Sequence, residues 1–135
     1  MAERKSVVIK YPKSVKIGAK SYKVHWSADA WLNRPDEKKQ DGDWGMTNHG
    51  QLGIWILPDL HPMNKRETLL HEIIHTLYAS SGGDVRNIAV NHSVESLDIE
   101  EYTVCRLEAP MMAWMIDNPA VVAFIMIGAD EDRDH

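Results

Sequence analysis

Cysteine is nearly absent: Cys105 is the only one in 135 residues. No intramolecular disulfide can form, and a four-thiolate metal site is excluded. An excess of positive charge is also missing. Lys and Arg total 15 against 20 Asp and Glu, a formal net charge of −5, which gives no electrostatic footprint for nucleic acid. Long apolar runs are lacking too. The stretch "AVVAFIMIG" at 120–128 falls far short of the ~20 residues of a membrane helix, and the first residues hold no apolar segment of signal length. Together these absences predict a cytoplasmic protein without a nucleic-acid or membrane partner. There is no internal repeat and no low-complexity tract. What remains, 44% apolar and 26% charged residues, is the composition of a single globular domain over 1–135, able to build a core without staples.

The opening "MAERKSVVIKYPKSVKIGAK" is locally basic, but its lysines alternate with Val and Ile, so they read as the solvated face of a sheet edge. "SVKIGAKSYKVHWS" predicts two short strands joined by a turn at Gly18-Ala19. "ADAWL" suggests a helical turn, and the charged, Pro- and Gly-containing stretch after it a loop. "QLGIWILPDLHP" supplies a strand centred on Ile54-Leu57, stopped by Pro58 and expected to form an exposed edge. Asn64 and Glu67 resemble a capping box before a helix whose apolar face is Leu69, Leu70, Ile73, Ile74 and Leu77; Ser80-Gly83 ends it. A loop or weak helix follows. A second helix runs from about Ile99, kinked or split at Pro110, then a short helix beginning at Pro119 and a polar tail over about 129–135. Strands first and helices after predict an α+β fold: a small N-terminal antiparallel or mixed sheet packed on two long helices.

The first of those helices carries His71-Glu72-Ile73-Ile74-His75. Positions four apart lie one above the other on a helix, so both imidazoles can aim at one point, as tetrahedral zinc requires. Glu72, rotated ~100° from His71, flanks that point and can take a proton from water activated there. Zinc needs a third protein ligand. Glu100 is preferred by helix phase, since Val104, Leu107 and Met111 share its face. Glu101, which shares its face with Glu108, is the second candidate, and His92 the third. Tyr78 and Tyr102 are the nearest phenols for stabilising an oxyanion. The five tryptophans, Trp26, Trp31, Trp44, Trp55 and Trp114, are expected to pack the core or cap strands, and Met111, Met112 and Met115 to fill core gaps. His25, His49, His61 and His135 have no spacing partner, and Cys105 reads as a small buried hydrophobe.

"HEIIH" on one helix and "EEYTVCRL" on the next resemble small gluzincin-like zinc metallopeptidases, above all short phage-encoded and ImmA/IrrE-like proteins. The likeness spans roughly Ile54 to Met115, with "RETLLHEIIH" and "MIDNP" its most recognisable pieces. It implies a minimal zincin-like domain with zinc on His71, His75 and Glu100, Glu72 as general base, and a protein or peptide substrate. For a phage-encoded chain it implies action in the host cytoplasm. Where that family carries an acidic or amide residue four positions after the ligand glutamate, this chain has Val104, or Cys105 counted from Glu101. Zincins with a glycine and third histidine soon after the motif are excluded, because Tyr78 and Ser81 stand there. Two other readings stay open: a non-catalytic, zinc-stabilised phage or prophage protein acting through protein–protein interaction, and an interaction module without metal. Oligomeric state is open in all three.

Overall fold

The computed structural model describes residues 8–35, 44–80 and 96–133, apart from the side chains of 96–102, 104 and 105. The predicted N-terminal hairpin is present as β1 (Ser14–Ile17) and β2 (Lys20–His25), paired antiparallel. Gly18 opens its two-residue turn at φ 60°, the left-handed value that a type II′ turn places on its first central residue. The helical turn is α1 (Ala28–Leu32), capped by the Ser27 hydroxyl, which accepts from the Ala30 N–H. Then come β3 (Gly45–Asn48) and β4 (Gly53–Ile56). The sheet order is β1-β2-β4-β3, with β2 and β4 parallel and the outer pairs antiparallel. The fold is therefore α+β on a four-stranded mixed sheet.

This order corrects the expectation for Ile54-Leu57. β4 is not an edge but lies between β2 and β3, and all four of its residues are buried. Its apolar run lacks alternation because both faces are covered. Ile54 and Ile56 join Val15, Ile17, Tyr22 and Val24 on one face, against the helices. Trp55 turns to the other face, where its ring stacks on His25 at 4.6 Å and 11°. The free edge beside the long helix is β3, a strand the sequence reading did not identify.

α2 (Pro62–Ser80) lays Leu69, Ile73 and Leu77 on the sheet. Its cap is His61, not the Asn64–Glu67 pair: His61 Nδ1 accepts from the Met63 N–H at 3.2 Å and its carbonyl from Lys65 at 3.0 Å, with Pro62 at the first helical position. α3 (Ser96–Asp117) begins three residues earlier than expected and runs through Pro110 as one helical element, so the chain is not split there. It ends at Asn118, and the chain turns by 98° into α4 (Pro119–Ile127). Phe124 of α4 is fully buried and meets Tyr11 and Trp26 at ring distances of 5.1 and 5.5 Å. Arg66 of α2 donates to the Ile125 carbonyl and ties α2 to the end of α4.

Two further expectations change. Of the methionine cluster only Met111 packs on the core; Met112 and Met115 are exposed, because α3 turns its inward stripe through Leu107, Met111 and Trp114. The polar tail is held down. Ala129 is fully buried, the Asp130 N–H donates to the Ile9 carbonyl at 2.9 Å, and α5 (Asp130–Arg133) offers Asp132 to the Tyr11 hydroxyl. Among the described residues no single helix is long and apolar enough to cross a membrane.

The Tyr11–Asp132 pair gives a pH prediction. Burial first, then the bond to Asp132 and the charges of Asp132 and Glu131, push the Tyr11 phenol well above its ordinary range. The folded pKa exceeds the unfolded one, so the stability it contributes is complete below pH ~10 and is lost as pH rises beyond it. The urea midpoint is expected to fall from pH ~10 upward and to fall less in Tyr11→Phe; equal slopes would contradict the assignment.

Candidate metal centre

His71 and His75 stand one turn apart on the exposed side of α2, while Glu72 turns inward and is 5% exposed. The two imidazoles converge: their Nε2 atoms are 3.1 Å apart, with ring planes at 78°. Ligand atoms of His71, Glu72 and His75 all lie within 4.8 Å of one another. This group can hold a metal ion. Two Zn–N bonds of ~2.0–2.1 Å at tetrahedral angles put the nitrogens about 3.3 Å apart, so the observed pair needs to open by only a few tenths of an ångström. At that distance the two Nε2 atoms can also share a hydrogen bond, one ring donating and the other accepting.

Glu72 is placed by the sheet as well as by its helix. It lies under β3, where the Thr47 hydroxyl reaches its Oε2 at 3.4 Å, a long contact. Gly45 makes this approach possible. A Cβ there would stand 2.6 Å from Thr68 Cγ2 and 3.2 Å from Glu72 Cγ. Gly45→Ala is expected to push β3 off α2 and cost about 1–3 kcal/mol by overpacking, read by urea unfolding. Thr68→Ser in the same chain removes the clashing methyl and is expected to restore most of the loss; no recovery would mean that the clash is not its cause.

Of the other predicted site residues, Tyr78 follows His75 by three positions on the same face of α2, half-buried. Glu100, Glu101 and Tyr102 fall in the first two turns of α3, and their side chains lie outside the described residues, as does His92 altogether. Thr47 and Gly45 are site residues that the sequence reading missed. A Gly-Met-Thr-Asn strand carries one apolar residue, and nothing in it signals pairing.

The remaining histidines divide by role. His61 caps α2. His25 lies stacked on Trp55, where burial first and the nearby Lys23 second hold its pKa below the usual range. His49 meets the Tyr22 hydroxyl at 3.0 Å through Nδ1, and His135 is outside the described residues. The tryptophans also divide. Trp55 and Trp114 are buried, and Trp26 donates its indole N–H to the Pro12 carbonyl at 2.7 Å. Trp31 lies under the Arg34 guanidinium at 3.8 Å, whereas Trp44 is half-exposed beside β3.

Comparison with protein-family models, curated proteins and solved structures gives no match. The functional reading therefore rests on the site's own geometry and on the spacing of its motif.

Proposed function

We propose that this protein is a zinc-dependent peptidase. The observation that carries the reading is the pair of convergent Nε2 atoms beside a buried carboxylate that lies under the edge strand of the sheet. His71 and His75 would hold the zinc, with Glu100 as third ligand. The helix phase that selects Glu100 is that of Leu107 and Met111, which pack on the core, whereas Glu108, in phase with Glu101, is exposed. Glu101 and His92 are the alternatives.

Bound zinc supplies Lewis acidity, polarising a carbonyl and acidifying water to a pKa near ~7. Glu72 takes the proton of the attacking water and passes it to the leaving amine. The Thr47 hydroxyl lies beside that carboxylate, 3.4 Å from Oε2. β3 pairs with β4 alone among the described residues, so its outer N–H and C=O groups can receive an extended peptide as an added strand. This role moves from β4, which is paired on both sides, to β3.

Val104 favours a second reading, a non-catalytic zinc protein acting through protein contacts. It stands where an acidic or amide residue would support the ligand shell, and it can donate no hydrogen bond from its side chain. Both readings share one expectation. Elemental analysis of untagged protein purified without chelator should give about one zinc per chain, and His75→Ala should lose it and lower the melting temperature by linkage. A wild type that stays metal-free after reconstitution would remove both readings.

A further inference from the structure

α4 is apolar all round. Pro119–Ile127 includes no polar or charged side chain, a composition that belongs to a helix covered on every side. The fold covers only part of it. Val121 and Phe124 are buried on the core, whereas Met126 is 72% and Ile127 51% exposed. Residues 8–12 run beside the helix, tied to its far end where the Asp130 N–H donates to the Ile9 carbonyl. Between this segment and Ala120 and Ala123 lies an open groove of about 200 Å³. Val8, 59% exposed, forms part of its wall.

Groove and projecting side chain are arranged to fit a second copy of the same surface. Ala120, Ala123 and Ile127 follow one another at helical spacing on one side of α4, with Pro119 and Met126 alongside. Ala120 stands three positions before Ala123, and Ile127 four after it. Let two α4 helices pack antiparallel across a two-fold axis near Ala123. Ile127 of each copy then comes over the groove at Ala120 of the other, and Met126 over Pro119. The small side chain at the crossing lets the helices approach closely. Such a contact is isologous, because one surface supplies both the knob and the hole.

The charges at the two ends of this face favour the same seat. Lys16, whose backbone pairs with Asn118, and Lys13 lie toward the start of α4, with Asp117 beside them. Past the other end stands α5, with Asp130, Glu131 and Asp132 against Arg133. One end is net positive and the other net negative, so an antiparallel seat brings opposite signs together. A lipid surface fits less well. Helices that lie on membranes carry a Lys- and Arg-rich face beside the apolar one, whereas α4 has no charged face and leads into acidic α5. We infer that this face of α4 is a homodimer interface, with the helices antiparallel and Ile127 of each copy seated in the groove of the other. A nine-residue helix is only ~14 Å long, short for the ~800 Å² per partner of a standard interface, so the association is expected in the micromolar range. It needs neither zinc nor peptidase activity.

Sedimentation velocity across the ~1–300 µM range tests this. The mass of the wild type is expected to rise from the 15.4 kDa of one chain toward twice that value. Ala120→Glu and Ile127→Lys lie at exposed positions, and each introduces the charge that its end of the helix favours. Both should keep the wild-type melting temperature and raise the dimer Kd about tenfold. Their equimolar mixture decides the geometry. In a mixed pair the introduced ammonium meets the introduced carboxylate at one seat while the other seat stays native, so association should return toward the wild-type level. A wild type that stays monomeric throughout overturns the inference. So does association that neither substitution weakens, or a mixture no more associated than its components. Flotation with phosphatidylcholine–phosphatidylglycerol vesicles covers the lipid alternative. Vesicle binding by a wild type that sediments as one chain, lost in Ala120→Glu, would assign the face to a membrane instead.

Discussion

Glu72→Gln is expected to keep a full complement of zinc and to cleave casein about 10²–10⁴-fold more slowly than the wild type, the range for removal of a general base. The expectation follows from how Glu72 is held. Its side chain is buried between α2 and β3, and the Thr47 hydroxyl approaches Oε2. The amide oxygen of Gln can accept the same bond, so the substitution preserves shape and removes the proton acceptor. Undiminished cleavage would sink the peptidase proposal and leave the structural-zinc reading in its place. Loss of zinc along with activity would carry a different message. A Glu72 oxygen lies within 4.8 Å of both imidazole nitrogens, and such a result would make this carboxylate a ligand.

The second large effect is expected far from the metal. Asn118→Ala should destabilise the fold by about 2–4 kcal/mol, through three lost hydrogen bonds and the buried groups left behind. Asn118 sits where α3 turns into α4 and is 7% exposed. Its Oδ1 accepts from the Lys16 N–H at 2.8 Å, and its Nδ2 donates to the Lys16 and Trp114 carbonyls, each at 2.8 Å. One side chain thus pairs with β1 in both directions, as a neighbouring strand would, and closes the end of α3 at the same time. Asn118→Asp retains the acceptor but turns an oxygen toward two carbonyls, and should lose nearly as much. A urea unfolding difference below about 0.5 kcal/mol, the scale of an ordinary surface substitution, would show that water replaces these bonds.

Periodicity and spacing made some of this visible in advance. The β1–β2 hairpin was legible because lysines alternate with apolar residues around Gly18, and α2 because its apolar positions recur at helical intervals. His71, Glu72 and His75 were legible for the same reason: a motif within one helix needs only the helix to place it. What escaped depends on partners distant in sequence. β3 holds Gly45 because Thr68 and Glu72 press against it, a demand that comes from α2. The position of β4 inside the sheet follows from β2 and β3, although its unbroken apolar run was the clue to burial on both faces. Asp132 looked like tail because its partner, Tyr11, belongs to the opposite end of the described chain. The choice among Glu100, Glu101 and His92 is a long-range question of the same kind.

The parallel pairing of β2 with β4 bears on how the molecule is assembled. β1 and β2 meet across a two-residue turn, and β3 and β4 form a hairpin of their own, so both pairs can form locally and early. Joining them requires Val24 to find Ile54 across the whole intervening chain, with the loop-closure entropy that entails. Until that seam closes, β2 and β4 each present an unpaired inner edge, and α2 has no continuous surface to cover. Closing the seam is therefore expected to be slower than forming either hairpin. The pocket for Glu72 is already set by the β3–β4 hairpin and α2, so its local geometry can precede closure, while its stability must wait for it.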